Sequence, residues 1–579
     1  MSETEAAPVL ASAAVTEWLR AAFRAALGGG AGLEAVEAVA TANPAFGDVQ
    51  CNAAMSLGKA LGRPPRAVAE AALRAAGEHA AVARAEVAGP GFINVTLRDE
   101  WLAAHVEQLA RAPRFGAPAV GRGRTVVLDY GSPNITKPLH IGHLRSHNIG
   151  SALDRLHRFL GWRVIADNHL GDWGTQFGIT IMGYRHFGDA RAMAERPLEE
   201  LERVYVLSHA KGEQDAAWKE QCRRELVKLQ NGDAENLALW SEFVRLSVQE
   251  LERLYARLGI RYDTVRGESY YRDRLAATVE RLERLGLARE SEGACVVFLD
   301  EEQLPPCIVR KRDGGYNYAT SDLATLDSRL AEYRPEAIVY VTDERQQLHF
   351  RQVFAIARRL GCTVRLEHVW FGLMRLPEGT IKTREGNAIR LETLLDEAES
   401  RALAVVRQSS PQMAEEEQRA VARAVGIGAV KYLDLSTNPQ SLVTFTWEKA
   451  LALDGNSGPY LQYAFARIDS VRDKYAERFP GRDPEAAPLR FTTPVERELG
   501  LKLARFPEAL QRAAELYKPN LIADFLYDLA QTYSRFYQNV PFLKAEEGVR
   551  ESRVRLCGMV ARALGLGLEL LGLETPRRI

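Results

Sequence analysis

The chain has 579 residues, 46% hydrophobic and 26% charged, enough for several cores and about three or four domains of ordinary size. Its 75 Lys and Arg stand against 76 Asp and Glu, so net charge argues neither for nor against a nucleic-acid partner, and any basic surface is local. The acidic start MSETEAAP, the lack of any run of about 18 apolar residues, and six dispersed cysteines without a C-x-x-C pair weigh against a secretory leader, a membrane span, a disulfide framework and a zinc site; a reducing cytoplasm is expected.

Residues 1–115 combine amphipathic helical patterns near 14–27 and 65–75 with a strand at 92–97, predicting a small α+β domain, and a Gly/Pro/Ala-rich linker follows at 113–123. From there short apolar runs at 126–130, 163–166, 337–342 and 368–371 alternate with helical patterns. This predicts a parallel sheet buried on both faces, in a domain made of 116–190 and 300–400. The intervening 191–299 reads as a helical insertion, with a charged stretch at 197–286 that has no strand rhythm. Residues 401–579 read as all helix, with loops at 454–459 and 480–494.

The strand at 125–130 runs into Gly131-Ser-Pro-Asn134-Ile-Thr-Lys137-Pro-Leu-His140-Ile-Gly142-His143 and then a helical period through Leu144, Leu153, Leu156 and Leu160. A helix N-terminus at the carboxyl edge of a parallel sheet suits phosphate. Gly142 lets adenine approach the backbone, and His140 and His143 can donate to a phosphorus centre as its charge grows. Two surface histidines at a helix start are the alternative reading of H-x-G-H alone. A second loop, Gly379-Thr-Ile-Lys382-Thr383-Arg384-Glu-Gly386, has glycines at both ends and cations between, as a mobile lid over leaving pyrophosphate requires.

The two loops resemble the HIGH and KMSK signatures of class I aminoacyl-tRNA synthetases, and the longer strings resemble the arginyl-tRNA synthetase family. These strings are Asp129 to Ser146, Asn168-His-Leu-Gly-Asp172-Trp-Gly-Thr-Gln-Phe-Gly178, the Lys382-Thr383-Arg384 loop, Gly455-Asn-Ser-Gly-Pro-Tyr460-Leu-Gln-Tyr463-Ala-Phe-Ala-Arg467, and Gly89-Pro-Gly-Phe92-Ile-Asn94. The resemblance implies an α/β multidomain chain: a Rossmann-type catalytic domain with its insertion, an N-terminal domain for the tRNA D-loop, and an α-helical anticodon-binding domain. It implies ATP with substrate-bound Mg2+ and no protein metal site, L-arginine and tRNA(Arg) as partners, no DNA or membrane partner, and a monomer.

By the same resemblance His140, His143, Lys382 and Arg384 serve catalysis, with Lys137 supplying the charge that the Thr383-Arg384 lid lacks. Gly142 and Thr383 meet ATP. Asn134 meets the backbone end of arginine, Asp129 faces it, and Tyr318, Asp322 and Gln346 line the specificity pocket. Thr320 or Ser321 is expected to cap a helix that has Asp322 in its first turn. Tyr460, Tyr463 and Arg467 share a helix face suited to anticodon bases, and Phe92 and Asn94 share a strand face suited to a D-loop base. The chain departs from the family's usual Ser-Thr-Ile-Ile-Gly-Asp with Ser146-His147-Asn148-Ile149-Gly150-Ser151, and ends on Ile579 where many members have methionine. The competing readings are another class I enzyme, such as the cysteine or glutamate one, and a non-catalytic RNA-binding paralogue. The first is disfavoured by the missing zinc ligands and by Tyr318 with Asp322, the second by retention of both loops.

Overall fold

The computed structural model describes residues 8–28, 32–41, 43–377 and 389–579. The chain divides into two compact units. One comprises residues 1–120, 453–570 and 574–579, and the other 121–452 and 571–573.

In the first unit the strands β1 (Ala38–Ala40), β2 (Val49–Cys51), β3 (Val82–Ala88) and β4 (Phe92–Leu97) form an antiparallel sheet in the order β1-β2-β4-β3. Helices Ala11–Leu27 and Pro65–Ala75 pack together beside it. Both patterns were expected from the sequence. The same unit contains the helices Gly458–Arg478, Pro494–Glu515, Asn520–Asn539 and Val549–Leu570, and Asp99–Arg111 packs on Pro494–Glu515. Charge locks the distant segments together: both carboxylate oxygens of buried Asp48 meet Arg497 at 2.9 and 2.7 Å, and Glu107 meets buried Arg555 at 2.6 Å. The amino-terminal segment and the carboxyl-terminal helices thus fall in one compact unit.

In the second unit the chain forms β5 (Thr125–Tyr130), β6 (Arg163–Asn168) and the two-residue β7 (Thr264–Val265), then three antiparallel strands β8 (Ala288–Ser291), β9 (Ala294–Leu299) and β10 (Leu304–Arg310). β11 (Ala337–Asp343) and β12 (Arg365–Phe371) complete a parallel sheet in the order β12-β11-β5-β6-β7, and β13 (Met374–Arg375) pairs with β14 (Val443–Thr444). Val126 to Leu128 and Ile338 to Val341 are almost wholly buried, as a sheet covered on both faces requires. Two expectations change here. The segment 191–299 is not helical throughout, since β7 extends the parallel sheet and β8 and β9 belong to a separate one. The division between the units falls at Ala452 and Leu453, not near 401, because Glu415–Leu435 packs on Leu391–Ser409 and on the helix Ile141–Phe159.

Candidate nucleotide and amino-acid site

The loop leaving β5 turns sharply: Gly131, Ser132 and Thr136 have positive φ. Gly131 has no alternative, since a Cβ there would lie 2.4 Å from the Tyr262 hydroxyl and 2.9 Å from His147 Nε2. The loop is bonded to β6 and to the residues after it. Ser132 N–H donates to Asn168 Oδ1 (3.1 Å), and Gly171 N–H donates to the Pro133 carbonyl (3.1 Å). Helix Ile141–Phe159 then begins with His140 as its N-cap, forming a reciprocal capping box with His143. Gly142 N–H donates to His140 Nδ1 (3.0 Å) and His140 N–H donates to His143 Nδ1 (3.1 Å), with ring centroids 3.9 Å apart.

This cap fixes the tautomers. Each Nδ1 accepts a backbone proton, so the neutral ring carries its own proton on Nε2. Burial, then the charge of Arg345, lowers the His140 pKa. Burial, then the neighbouring His140 and His147 rings, pushes His143 down to about 3. Both are therefore neutral donors at physiological pH. A Cβ on Gly142 would come within 2.8 Å of the His140 ring, so glycine at this position keeps the cap intact.

The helix is held from behind. Arg145, 1% exposed, donates to Asp434 Oδ1 (2.8 Å) and to the carbonyls of Gly372 (2.6 Å) and Ser441 (3.0 Å). Ser146 Oγ accepts from Gly131 N–H and donates to Val341 O, joining loop, helix and β11. Two of the three residues in this helix that depart from the family pattern are built in: His147 donates to His143 O (2.7 Å) beside the Tyr255 ring, and Asn148 donates to Asp434 Oδ2 (3.2 Å).

Beyond the ends of β6 and β7 lies a cluster of acidic side chains. Helix Tyr318–Tyr333 is capped by Asn317, not by Thr320 or Ser321, because Asn317 is the extended residue whose side chain accepts the first N–H. Thr320 is buried and donates to Val309 O instead. Asp322 thus stands in the second turn, bonded to His349 Nε2. Tyr318 opens the helix with 70% exposure. Burial at its hydroxyl end and then the charge of Glu268 raise its phenol.

Glu268 escaped the sequence reading. Its carboxyl is raised to about 7, first by burial and then by the charges of Asp172 and Asp322. Three acids thus lie close together: Asp172 is locked by Ser269 N–H and Oγ (2.8 and 2.6 Å), Asp322 is bonded to His349, and Glu268 feels the charge of both, a concentration of negative charge suited to a cation. Only folding brings residues 172, 268 and 322 together, so no local pattern could flag Glu268. Asn134 is exposed beside Gly171, and Gln346 is exposed at the start of helix Gln347–Arg359.

Asp129 does not face this cluster as expected. It is 5% exposed, with one oxygen on Arg329 (2.7 Å) and the other on Ser132 (2.8 Å); Arg329, itself buried, also binds Asp167 (2.7 Å). The carboxylate is spent on neutralising a buried guanidinium.

Lys382, Thr383 and Arg384 lie outside the described residues. From Ile389 onward the chain is tied to the start of the helix: Ile141 N–H donates to Ile389 O (3.0 Å), Leu391 N–H donates to Leu139 O (2.8 Å), and His140 bridges Arg390. Lys137 is exposed with its ammonium 4.5 Å from the Tyr205 ring centroid. Arg345, a further cation missed in the sequence, lies close enough for its charge to lower the His140 pKa while it is paired to Asp343.

In the first unit, Tyr463 is 39% exposed and Arg467 lies over both its ring and that of Tyr537, at 4.7 and 5.2 Å. Tyr460 is half-buried, edge-on to Tyr527. Asn94 departs from expectation: beside half-buried Phe92 it is only 4% exposed, and its amide oxygen is taken by the Gln50 amide (2.7 Å). β4 is an interior strand, paired along its two edges with β2 and β3.

Comparison with known proteins places the chain in a family. Residues 13–97 match the arginyl tRNA synthetase N terminal domain, 105–447 the catalytic domain of class I (R) tRNA synthetases, and 461–579 the DALR anticodon binding domain. The arginine–tRNA ligase of Fusobacterium nucleatum is 44% identical over 542 residues, covering 93% of this chain and 95% of its own, and that of Synechococcus sp. is 42% identical over 97% and 99%. The arginyl-tRNA synthetase structures from Thermus thermophilus and Plasmodium falciparum each superpose with a TM-score of 0.82 at 26% identity, covering 98% of this chain and 99% and 98% of theirs. The chain belongs to the arginyl-tRNA synthetase family of class I aminoacyl-tRNA synthetases.

Proposed function

We propose that this chain activates L-arginine with ATP to arginyl-adenylate and transfers the arginyl group to the 3′ end of tRNA(Arg), releasing pyrophosphate and AMP. The arginine carboxylate attacks the α-phosphorus and pyrophosphate leaves; the terminal ribose hydroxyl then attacks the acyl carbon and AMP leaves. Mg2+ belongs to the nucleotide in this reading. No protein nucleophile takes part, so the rate comes from positioning and charge stabilisation.

The observation that carries this reading is the His140–His143 cap, two neutral rings with their Nε2–H groups free to donate as charge grows on the phosphates. Gly142 gives room for the nucleotide, and Lys137 brings a cation, as do Lys382 and Arg384 of the lid, with Thr383 beside them. Arginine is held by Asn134 at its backbone end and by Asp322, Glu268, Tyr318 and Gln346 around the guanidinium. Two carboxylates and planar-fork acceptors discriminate against lysine and citrulline, which lack either the fork or the charge. Tyr463 and Arg467, with Tyr460 behind them, serve an anticodon base, and Phe92 a D-loop base. The chain works as a cytoplasmic monomer with no DNA or membrane partner; among the described residues no helix is long and apolar enough to cross a membrane.

Charging of total tRNA with each amino acid in turn, with ATP and Mg2+, tests the proposal. Arginine alone is expected to be taken up; charging with any other amino acid, or none, refutes it.

A further inference from the structure

Helix Pro197–Gln214 of the insertion carries Glu199, Glu202 and Tyr205 at intervals of three, so they follow one face. That face touches the nucleotide site on two flanks. Glu199 and Glu202 each take one arm of Arg390, at 3.0 and 2.9 Å, and Arg390 is the residue bridged to His140. One turn further along, the Tyr205 ring lies 4.5 Å from Lys137 Nζ. Glu202 is also near enough to His140 to oppose the lowering that burial and Arg345 impose there.

The choice of partner for Lys137 is informative. An ammonium on a four-carbon stem has wide rotamer freedom, and orienting it only when phosphate arrives is costly. A carboxylate would hold it but would compete with phosphate for its charge. An aromatic face attracts the cation more weakly and leaves its N–H donors available.

We infer that Tyr205 is a positioning residue for the ATP-dependent step: it holds the Lys137 ammonium in place before the phosphates arrive, while Glu199 and Glu202 fix the opposite flank through Arg390. The inference rests on the phosphate role proposed above for Lys137. The helical insertion thereby sets the geometry of a site whose signature residues all lie outside it.

The test is arginine-dependent ATP–pyrophosphate exchange by the full-length enzyme with tRNA present. Tyr205→Leu is expected to lower kcat about 3- to 30-fold, the range of a cation–ring contact, with the KM for arginine changed by less than about twofold. Tyr205→Phe, which keeps the ring face, recovers the rate to within about twofold. In a Lys137→Ala background the Tyr205→Leu change costs less than about twofold more, because the partner is already gone. Where Tyr205→Leu loses the parent's thermal transition, Tyr205→Met takes its place in the same cycle. Full additivity with Lys137→Ala, or a Tyr205→Phe enzyme as slow as Tyr205→Leu, overturns the positioning role while leaving Lys137 intact. A Lys137→Ala enzyme of unchanged rate overturns the Lys137 role and this inference together.

Discussion

On the arginine role proposed for it, Glu268 is expected to make arginine binding pH-dependent in a range where few acids titrate. With its carboxyl at about 7 in the empty pocket, only about one tenth of the enzyme is ionised there at pH 6, about half at pH 7 and about nine tenths at pH 8. If the guanidinium takes the ionised form, apparent Kd falls about tenfold from pH 6 to pH 8, and binding at pH 7 releases about half a proton. The two histidines of the cap do not blur this, since His143 sits near 3 and His140 is also lowered. Titration calorimetry of arginine at pH 6, 7 and 8, in buffers of different ionisation enthalpy, reads both quantities. Glu268→Gln should remove the slope and weaken binding at pH 8 by about 10- to 100-fold, as expected for losing a charge-assisted bond. A Kd constant from pH 6 to 8, or a slope that survives Glu268→Gln, refutes the reasoning. Stability without arginine moves the opposite way. The folded pKa lies above the ordinary 4.5, so the contribution of Glu268 is whole below about 4.5 and is lost as pH rises through about 7, a change on the order of 3 kcal/mol.

Asp322→Asn should raise the KM for arginine about 100-fold while the KM for ATP moves less than about threefold; equal losses would mean that the carboxylate supports the fold and not the substrate. His143→Ala should slow adenylate formation by about 100- to 1,000-fold in single-turnover measurements with tRNA affinity unchanged, and an unaltered rate would remove this ring from the mechanism. Asp434→Ala leaves buried Arg145 without its carboxylate and should destabilise the catalytic unit by about 3–5 kcal/mol in guanidinium unfolding; a loss below about 1 kcal/mol would show that the Gly372 and Ser441 carbonyls suffice.

The parts of the site that were legible in the sequence are local ones. β5, the loop and the helix from Ile141 follow from an apolar run, glycine and proline, and a helical period, and His140 and His143 fall within a few residues of one another. The reciprocal cap between them was not foreseen, since histidine is seldom an N-cap and only the placed rings show each Nδ1 accepting a backbone proton. Where the sequence misled, the cause was a partner far along the chain. Asp129 looked available until Arg329 arrived from 200 residues away, and Asn94 looked surface-bound until Gln50 took its amide. The short strands β7 to β9 were hidden within charged helical surroundings, because two to six residues give too few periods to read. Glu268 was hidden for the same reason as Asp129: its significance lies in Asp172 and Asp322, neither of which is its neighbour in sequence.

The lock between Asp48 and Arg497 has a consequence for biosynthesis. Its partners are 449 residues apart, and a ribosome adding about 5–20 residues per second needs roughly 20–90 s to make the second after the first. During that interval the sheet β1 to β4 is complete in sequence, while Asp48, nearly buried in the finished protein, has no guanidinium to pair with. Until then water solvates the Asp48 carboxylate, so the amino-terminal segment gains this part of its stability only when the carboxyl-terminal helices have been made.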